Sequence, residues 1–436
     1  MTDLDAPGRP GPALPGMRGL LDADAGAPPP EPAVRPTAPT IPEDVVPARP
    51  AAGFDPERAG LADALPPEVA LLCVTSSSSL PGQPALSLNW HHARSTQAAP
   101  HDPVSPKLPL TGLSLAALMK EVGAAEGQPW EDAYYDAMNW WLPQDPLVGW
   151  IRDLLATTRH PRLIIWDNTA HDIPWELFYH QSQGDAENQA QGWLGELIPV
   201  IRWTSIHDGE RTWRFSAEEC ASEGPLLMLE DMTLKEQEDI FKPYLIEDRF
   251  ETMEALMHRL SEPATPFGLL MIRCHGEYSS ASRSFKLGGL ALNRYTDYSM
   301  AALRTFRPPV VLNACASGRT LQDERYPGKP VRSFAELFLR RGASAVIAVV
   351  GDVGLLHSHD FARRLLEMTA AKKTNLATVL QEHRQHYAKD ARRPCGPEDP
   401  RTEGNFKLFF ASFLYVYYGH PNATLRTTPR RDGGAP

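Results

Sequence analysis

Two apolar segments decide the fold of this chain: GLLMIRCHG, residues 268–276, and PVVLNACASG, residues 309–318. Each is a short apolar run closed by small residues, which is the pattern of a parallel strand buried on both faces. In open α/β sheets such strands deliver their last residues to the crevice at the carboxyl edge, where ligands bind. The segments therefore bring His275 and Cys315 to one edge, and we predict that Cys315 is a nucleophile and His275 its base.

Strands and helices alternate around these two segments. Apolar runs predict further strands at 163–166, 225–230, 345–350 and 413–418. Helical periodicity predicts helices in the stretches between them, for example at 251–261. This alternation predicts an α/β protein with a mostly parallel sheet and helices on both faces.

The rest of the chain divides by composition. Residues 1–60 are rich in Pro and Ala, which predicts a disordered leader. Residues 61–129 are predicted to be an N-terminal extension whose two apolar runs form a hairpin at an edge of the sheet. The predicted α/β domain covers residues 130–425, and residues 426–436 are predicted to be a flexible tail.

The composition argues against several classes of function. The 436 residues carry a net charge of −11 without a long Lys/Arg run, which argues against a nucleic-acid partner. No apolar run approaches the roughly 20 residues that span a bilayer, and the N-terminus does not resemble a secretion signal. The five cysteines are irregularly spaced and form no C-x-x-C pair, and the sequence contains no motif of a serine hydrolase, a nucleotide-binding loop or a zinc peptidase. We predict a cytoplasmic protein without a cofactor or metal.

A cysteine or histidine at a strand end can also be an ordinary core residue. Gly276 and the small residues 316–318 favour chemistry here, because they let a substrate approach closely and leave backbone N–H groups free to bind an oxyanion. We expect the N–H groups of Gly276 and Cys315 to form this oxyanion hole. Successive residues on a strand point to opposite faces, so Cys274 should face away from His275 and belong to the core.

Several longer motifs occur in order along the chain: IPWELF at 173–178, WLGE at 193–196, CHG at 274–276, NACASG at 313–318, FAELFLRRGA at 334–343 and YVYYGHP at 415–421. This set resembles the CHAT family of caspase-like cysteine peptidases, over about residues 130–425. One position departs from the family pattern, because His420 stands where the terminal motif has Asp.

The resemblance implies a caspase-like three-layer fold and endopeptidase chemistry by a dyad of His275 and Cys315. It also implies relatives in bacterial immunity and cell-death systems, where such a peptidase is switched on by an activator or sensor protein and then cuts a pore-forming or regulatory protein. The alternative from another class is a catalytically silent scaffold that binds a partner protein.

Two predictions concern the surroundings of the dyad. Asp352 follows a predicted strand at the same edge. In related peptidases that cut after Arg or Lys, an acidic residue at about this position lines the substrate pocket. A carboxylate there favours a basic side chain through charge-assisted hydrogen bonds. Alternatively, Asp352 only bonds neighbouring N–H groups or caps the helix expected near His357. The polar loop at 318–332 is either a gate that changes on activation or an ordinary surface connection.

Overall fold

A computed structural model describes residues 65–77, 85–92, 115, 118–119, 130–139, 146–167, 169, 173–181, 191–203, 219–234, 239–263, 265–279, 284–319, 333–393 and 400–430. The predicted leader, residues 1–60, lies outside these residues. So do residues 320–332 of the predicted gate loop and residues 431–436 of the predicted tail.

The described strands are β1 (Val69–Ser77), β2 (Ala85–His92), β3 (Arg162–Asp167), β4 (Tyr179–His180), β5 (Gly192–Trp193), β6 (Val200–Trp203), β7 (Cys220–Gly224), β8 (Leu226–Glu230), β9 (Leu269–Arg273), β10 (Gly276–Ser279), β11 (Ser284–Leu287), β12 (Leu290–Ala291), β13 (Val310–Asn313), β14 (Ala345–Val349), β15 (Thr374–Asn375), β16 (Tyr415–Gly419) and β17 (Ala423–Thr427). The described α-helices are α1 (Trp130–Met138), α2 (Pro146–Thr157), α3 (Leu194–Leu197), α4 (Met253–Ser261), α5 (Ala301–Phe306), α6 (Phe334–Arg340), α7 (Leu355–Ala371), α8 (Leu376–Ala391) and α9 (Pro400–Phe413). Short 3-10 helices lie at Trp175–Leu177, Met232–Leu234, Lys242–Tyr244 and Leu292–Asp297.

A nine-stranded sheet dominates the described part of the chain, in the order β2-β1-β3-β6-β16-β14-β13-β9-β8. Neighbouring strands are parallel except at β1/β2 and at β14/β16. The sheet therefore contains two parallel blocks, and one of them consists of the adjacent strands β14, β13, β9 and β8. The predicted mostly parallel α/β fold is confirmed, and the N-terminal runs lie in it as the edge hairpin β1–β2.

The strands of this block are buried on both faces, which explains their unbroken apolar sequences. On β9, Leu269 and Met271 face a core cluster that includes residues of α7, α8 and α9. Leu270 and Ile272 face the opposite cluster, which includes residues of α4, α5 and α6. Helices thus cover both faces of the block, and the strand ends remain as the accessible edge.

Side-chain caps set the beginnings of the helices beside this block. Thr252 accepts a hydrogen bond from the Ala255 amide at the start of α4, and Ser333 accepts one from the Glu336 amide at the start of α6. Both caps leave the following apolar positions facing the sheet, so the sequence fixes where each helix begins to pack.

A small three-stranded sheet, β10-β11-β12, follows β9 directly. Its second turn contains Gly288 and Gly289, which have φ values of 56° and 79°. Glycine adopts this left-handed conformation without the steric cost that other residues have, so the pair closes the tight turn. The pair therefore lets β12 return directly alongside β11.

None of the helices within the described ranges is long and apolar enough to cross a bilayer.

Candidate active site

The candidate site lies at the carboxyl ends of the four adjacent parallel strands β14, β13, β9 and β8. In that spatial order the strands are followed by Asp352, Cys315, His275 and Asp231. Parallel strands end at the same edge, so the topology brings one chemically active residue from each strand to a common rim.

His275 and Cys315 follow their strands at matching positions. Arg273 and Asn313 are register partners on β9 and β13, and each is two residues before the predicted site residue of its strand. The main chains also touch beyond the sheet, because a Cβ atom added to Gly276 would lie 1.9 Å from the carbonyl oxygen of Cys315. The two predicted site residues therefore belong to one contact region.

The turn after Cys315 is held by four hydrogen bonds, three of them to β14 and to Gly351 beyond its end. The amides of Ala316 and Gly318 donate to the carbonyls of Gly351 (2.9 Å) and Val349 (2.7 Å). Ser317 Oγ donates to the Leu312 carbonyl and accepts from the amide of Val349. These bonds hold Ala316 at a φ of 56°, which is uncommon for a residue with a side chain and costs about 1–2 kcal/mol. The backbone at Cys315 is thus fixed in a strained turn.

The thiol of Cys315 is half-buried and is protonated in the resting structure. Its Sγ donates a hydrogen bond to the carbonyl of Val353 at 3.8 Å. Burial raises the pKa of the Cys315 thiol, and the nearby Asp352 carboxylate raises it further. A raised pKa disfavours the thiolate, so a reaction at Sγ requires a base.

His275 is exposed and has a partner that the sequence did not indicate. Its Nε2 lies 3.0 Å from Oγ1 of Thr233. Thr233 Oγ1 in turn donates to Oδ1 of Asp231 at 2.8 Å. Asp231 is the first residue after β8, so the rule that located His275 and Cys315 at strand ends would also have located Asp231. Thr233 has no such signal, because the 3-10 turn that returns it to Asp231 is not evident in the sequence.

A row of buried polar residues lies directly below the rim. Glu230, Arg273 and Asn313 are register neighbours on β8, β9 and β13. Arg273 Nη1 donates to Glu230 Oε1 at 2.5 Å, and both side chains are almost fully buried. Asn313 Oδ1 accepts from the Tyr415 hydroxyl at 2.8 Å, and Asn313 Nδ2 donates to the carbonyl of Ser358 at 2.9 Å. These bonds link the strand ends to one another and to α7.

Cys274 lies on the opposite face of β9 from this row. It is 4% exposed and packs in the same cluster as Leu270 and Ile272. Burial raises its pKa to about 12, and burial raises that of Cys73 to about 12 as well. The prediction that Cys274 is a core residue is confirmed. Cys220 is half-buried, as Cys315 is.

The orientation of the Gly276 amide follows from the β10–β11 pairing. Gly276 is the register partner of Leu287, and the Gly288 amide donates to the His275 carbonyl at 2.9 Å. Hydrogen-bonded and non-hydrogen-bonded pairs alternate along antiparallel strands, so Gly276 and Leu287 form a non-hydrogen-bonded pair. The Gly276 N–H therefore points away from β11.

Asp352 is exposed at the end of β14 and affects the pKa of Cys315. The alternative in which it caps the next helix does not match the geometry, because α7 begins after Gly354 and has no side-chain cap. Within the described part of the chain, the Asp352 side chain forms no hydrogen bond or ion pair. The described residues also contain no group of three or more His, Cys, Asp or Glu side chains that could hold a metal ion.

Comparison with known proteins adds a family match. Residues 227–423 match the family model of the CHAT domain. Two solved structures of the Saccharomyces cerevisiae separase–securin complex, at 3.0 and 2.6 Å resolution, resemble the chain with TM-scores of 0.45 and 0.44 and 12% identity. Each match covers 82% of this chain but 30% of the matched chain, and at these scores the likeness supports no further argument. No curated protein matches the sequence.

The family match confirms the predicted resemblance over residues 227–423, and the motifs at 173–178 and 193–196 lie outside the matched segment. It includes Asp231, His275, Cys315 and Asp352, and therefore the whole rim. Residues 227–423 of this chain therefore match the CHAT domain, which belongs to the caspase-like peptidases.

Proposed function

We propose that this chain is a cysteine endopeptidase in which His275 and Cys315 form the catalytic dyad. The observation that carries the proposal is the contact between the main chains of Gly276 and Cys315, at the ends of two strands paired in register. A buried structural cysteine requires no such approach. Cys315 also differs from the core thiols Cys73 and Cys274 in being partly accessible and in being followed by a strained turn at Ala316.

The reaction begins with transfer of the thiol proton. His275 accepts the proton from Cys315 Sγ, and the electron pair left on sulfur forms a bond to the carbonyl carbon of the substrate. The protonated His275 then donates its proton to the amine nitrogen as the C–N bond breaks, which leaves a thioester on Cys315. Water hydrolyses the thioester, with His275 taking the proton of the attacking water and returning it to the thiolate.

The Gly276 and Cys315 N–H groups are proposed to bind the oxyanion of both tetrahedral intermediates. The alternation of the β10–β11 pairs supports the role of Gly276, because its N–H points away from β11. The close approach of the two main chains supports the role of Cys315, because a Cβ added to Gly276 would lie 3.3 Å from the Cys315 backbone nitrogen. Each donor of this kind is typically worth about 100- to 1000-fold in rate.

Asp352 is proposed to select a basic substrate residue on the amino side of the cut bond. Its carboxylate is exposed, is not the cap of α7 and lies near Cys315. A carboxylate in this position favours Arg over Lys, because a guanidinium can form two parallel hydrogen bonds to it. Profiling with a peptide library tests this assignment. Asp352→Ala should weaken a basic preference without lowering the urea midpoint, whereas a wild-type preference for Leu or Met would refute it.

The resting thiol supports a regulated enzyme. Cys315 is protonated and donates to Val353, so it must change its hydrogen-bond partner before it reacts. We propose that an activator or sensor protein promotes this change and that the substrate is a partner protein, in a bacterial immunity or cell-death system as the family resemblance implies. The same observation favours the second candidate, a silent scaffold in which the thiol never exchanges its partner.

Labelling with an electrophilic peptide ketone separates the two candidates. Cys220 is the matched internal control, because it is half-buried as Cys315 is but does not follow a strand next to a histidine. The dyad predicts that Cys315 is labelled far faster than Cys220 and that His275→Ala removes the difference. Equal, slow labelling of both cysteines, unchanged in His275→Ala, would favour the silent scaffold. A partner protein that is cut by wild type and not by Cys315→Ala would then identify the substrate.

A further inference from the structure

A chain of hydrogen bonds connects His275 to a buried strand end. Nε2 of His275 contacts Thr233 Oγ1, and both the hydroxyl and the amide of Thr233 donate to Oδ1 of Asp231, at 2.8 and 2.9 Å. Asp231 is itself anchored, because its amide donates to the carbonyl of Arg273 on the adjacent strand at 2.9 Å. The imidazole of His275 is thus connected to the rim through the Thr233 hydroxyl and the Asp231 carboxylate, and Asp231 is bonded to the adjacent strand.

The donors in this chain determine the tautomer of His275. The amide and hydroxyl of Thr233 lower the pKa of Asp231, so the carboxylate is ionised at neutral pH and can only accept hydrogen bonds. The Thr233 hydroxyl has one hydrogen, which it donates to Asp231. It can then offer only a lone pair to His275, so Nε2 must carry the imidazole proton.

We propose that Asp231 and Thr233 are positioning residues that hold His275 in the Nε2–H tautomer and leave Nδ1 as the base for Cys315. The inference rests on the proposed dyad and adds the two residues that prepare its base. The thiol proton moves from Sγ to Nδ1 while the sulfur attacks the carbonyl carbon. The resulting imidazolium keeps its Nε2–H bond to Thr233 near the Asp231 carboxylate, and Nδ1 then gives its proton to the leaving amine.

Neither residue needs to touch the substrate, which separates this role from substrate binding. Their loss should lower the rate of the chemical step and leave the affinity for a ligand unchanged. A histidine held in the wrong tautomer can lose about four orders of magnitude in rate with its geometry intact, as known for a serine protease in which the positioning Asp is changed to Asn. Because Thr233 and Asp231 act through a hydroxyl, we expect a loss of about 100- to 1000-fold.

Three variants of the full chain test the inference. Thr233→Val keeps the shape of the side chain and removes the hydroxyl, Asp231→Asn removes the charge, and Thr233→Ser keeps the hydroxyl as the matched control. The peptide ketone gives two constants for labelling of Cys315, the maximal rate and the half-saturating concentration. Thr233→Val and Asp231→Asn should each lower the maximal labelling rate about 100- to 1000-fold and leave the half-saturating concentration unchanged. The maximal rate of Thr233→Ser should stay within about threefold of the wild-type rate.

Nitrogen-15 NMR of histidine-labelled protein provides a readout that a purely structural role would not change. His275, identified by comparison with His275→Ala, should show the Nε2–H tautomer in wild type and in Thr233→Ser, and a mixture of tautomers in Thr233→Val. An Nδ1–H tautomer in the wild type would overturn the inference. So would wild-type labelling rates in both Thr233→Val and Asp231→Asn.

His275→Ala distinguishes failure of the inference from failure of the proposed function. If His275→Ala slows labelling while Thr233→Val and Asp231→Asn do not, the dyad stands and the positioning role is refuted. If His275→Ala itself labels as wild type does, the dyad is refuted, and the inference with it. Urea denaturation of each variant identifies any loss of rate that comes from unfolding.

Discussion

Gly276→Ala is expected to disable the site by steric contact alone. The φ value of Gly276 is outside the left-handed region, so an alanine there would have no unfavourable backbone conformation. Its Cβ, however, would lie 1.9 Å from the Cys315 carbonyl oxygen and 2.9 Å from its carbonyl carbon, whereas real Cβ contacts are essentially never shorter than 3.0 Å. These neighbours are backbone atoms and cannot rotate away. The main chains at His275 and Cys315 must therefore separate by about 1 Å, from 1.9 to 3.0 Å.

A displacement of this size is large for a reacting pair. Misplacing reacting groups by about 1 Å can cost about 100-fold in rate, and forcing a methyl group into a packed site costs about 1–3 kcal/mol of stability. We therefore expect Gly276→Ala to lower the rate of Cys315 labelling by the peptide ketone about 100-fold and the free energy of unfolding by about 1–3 kcal/mol.

Gly354→Ala is the matched control for this experiment. It is the same substitution near the same rim, in an extended conformation with a φ of −69°, and an added Cβ there meets nothing within 4 Å. It should leave both the labelling rate and the urea midpoint close to wild type. A Gly276→Ala protein that is labelled at the wild-type rate, or that matches Gly354→Ala in both measurements, would refute the close approach of the two strand ends.

Three further predictions concern the core around the site. Burial lowers the pKa of His357 to about 4 and the pKa of His383 below its ordinary value, so the unfolded chain binds protons first as the pH falls below about 6.5. The free energy of unfolding should therefore fall from pH 6.5 towards pH 4, by about 3 kcal/mol from His357 alone. His357→Phe should flatten this pH dependence in urea titrations. Glu230→Leu leaves the buried Arg273 guanidinium without this carboxylate and should cost about 3–5 kcal/mol. Adding Arg273→Met should recover part of that loss, because Arg249 also pairs with Glu230 and is still left without it; additive costs would contradict the pairing of Glu230 with Arg273. Tyr415→Phe removes the donor to Asn313 Oδ1 and should lower the free energy of unfolding by about 1–3 kcal/mol, and an unchanged urea midpoint would show that the bond contributes nothing.

The fold of the block around the site could be predicted because its strands are buried on both faces. Short apolar runs such as Leu269–Arg273 and Ala345–Val349 differ clearly from the amphipathic helices between them, and the rule that parallel strands end at one edge then brings His275, Cys315 and Asp352 together. The position of β16 could not be predicted in this way. Its antiparallel insertion between β14 and β6 depends on long-range pairing, which the local pattern of Tyr415–Gly419 does not encode.

The same limit applies within the site. The end of β8 was predicted, and Asp231 follows it directly, so position alone makes this carboxylate a candidate. The contact between Thr233 and His275 depends on the turn angle after Asp231 and on the rotamer of each side chain. A sequence pattern specifies residues and their spacing, and neither of these quantities follows from spacing.

The buried polar row below the rim aligns the strand ends that carry His275 and Cys315. Replacing a buried ion pair with apolar residues is often neutral or stabilising, so Glu230 and Arg273 are a poor choice for stability alone. Their bond, with that of Asn313 to Tyr415, fixes the ends of β8, β9 and β13 from below. The strand ends therefore do not depend on a bond between thiol and imidazole for their alignment. In the proposed mechanism, the Cys315 thiol would then only have to leave the Val353 carbonyl before it gives its proton to His275.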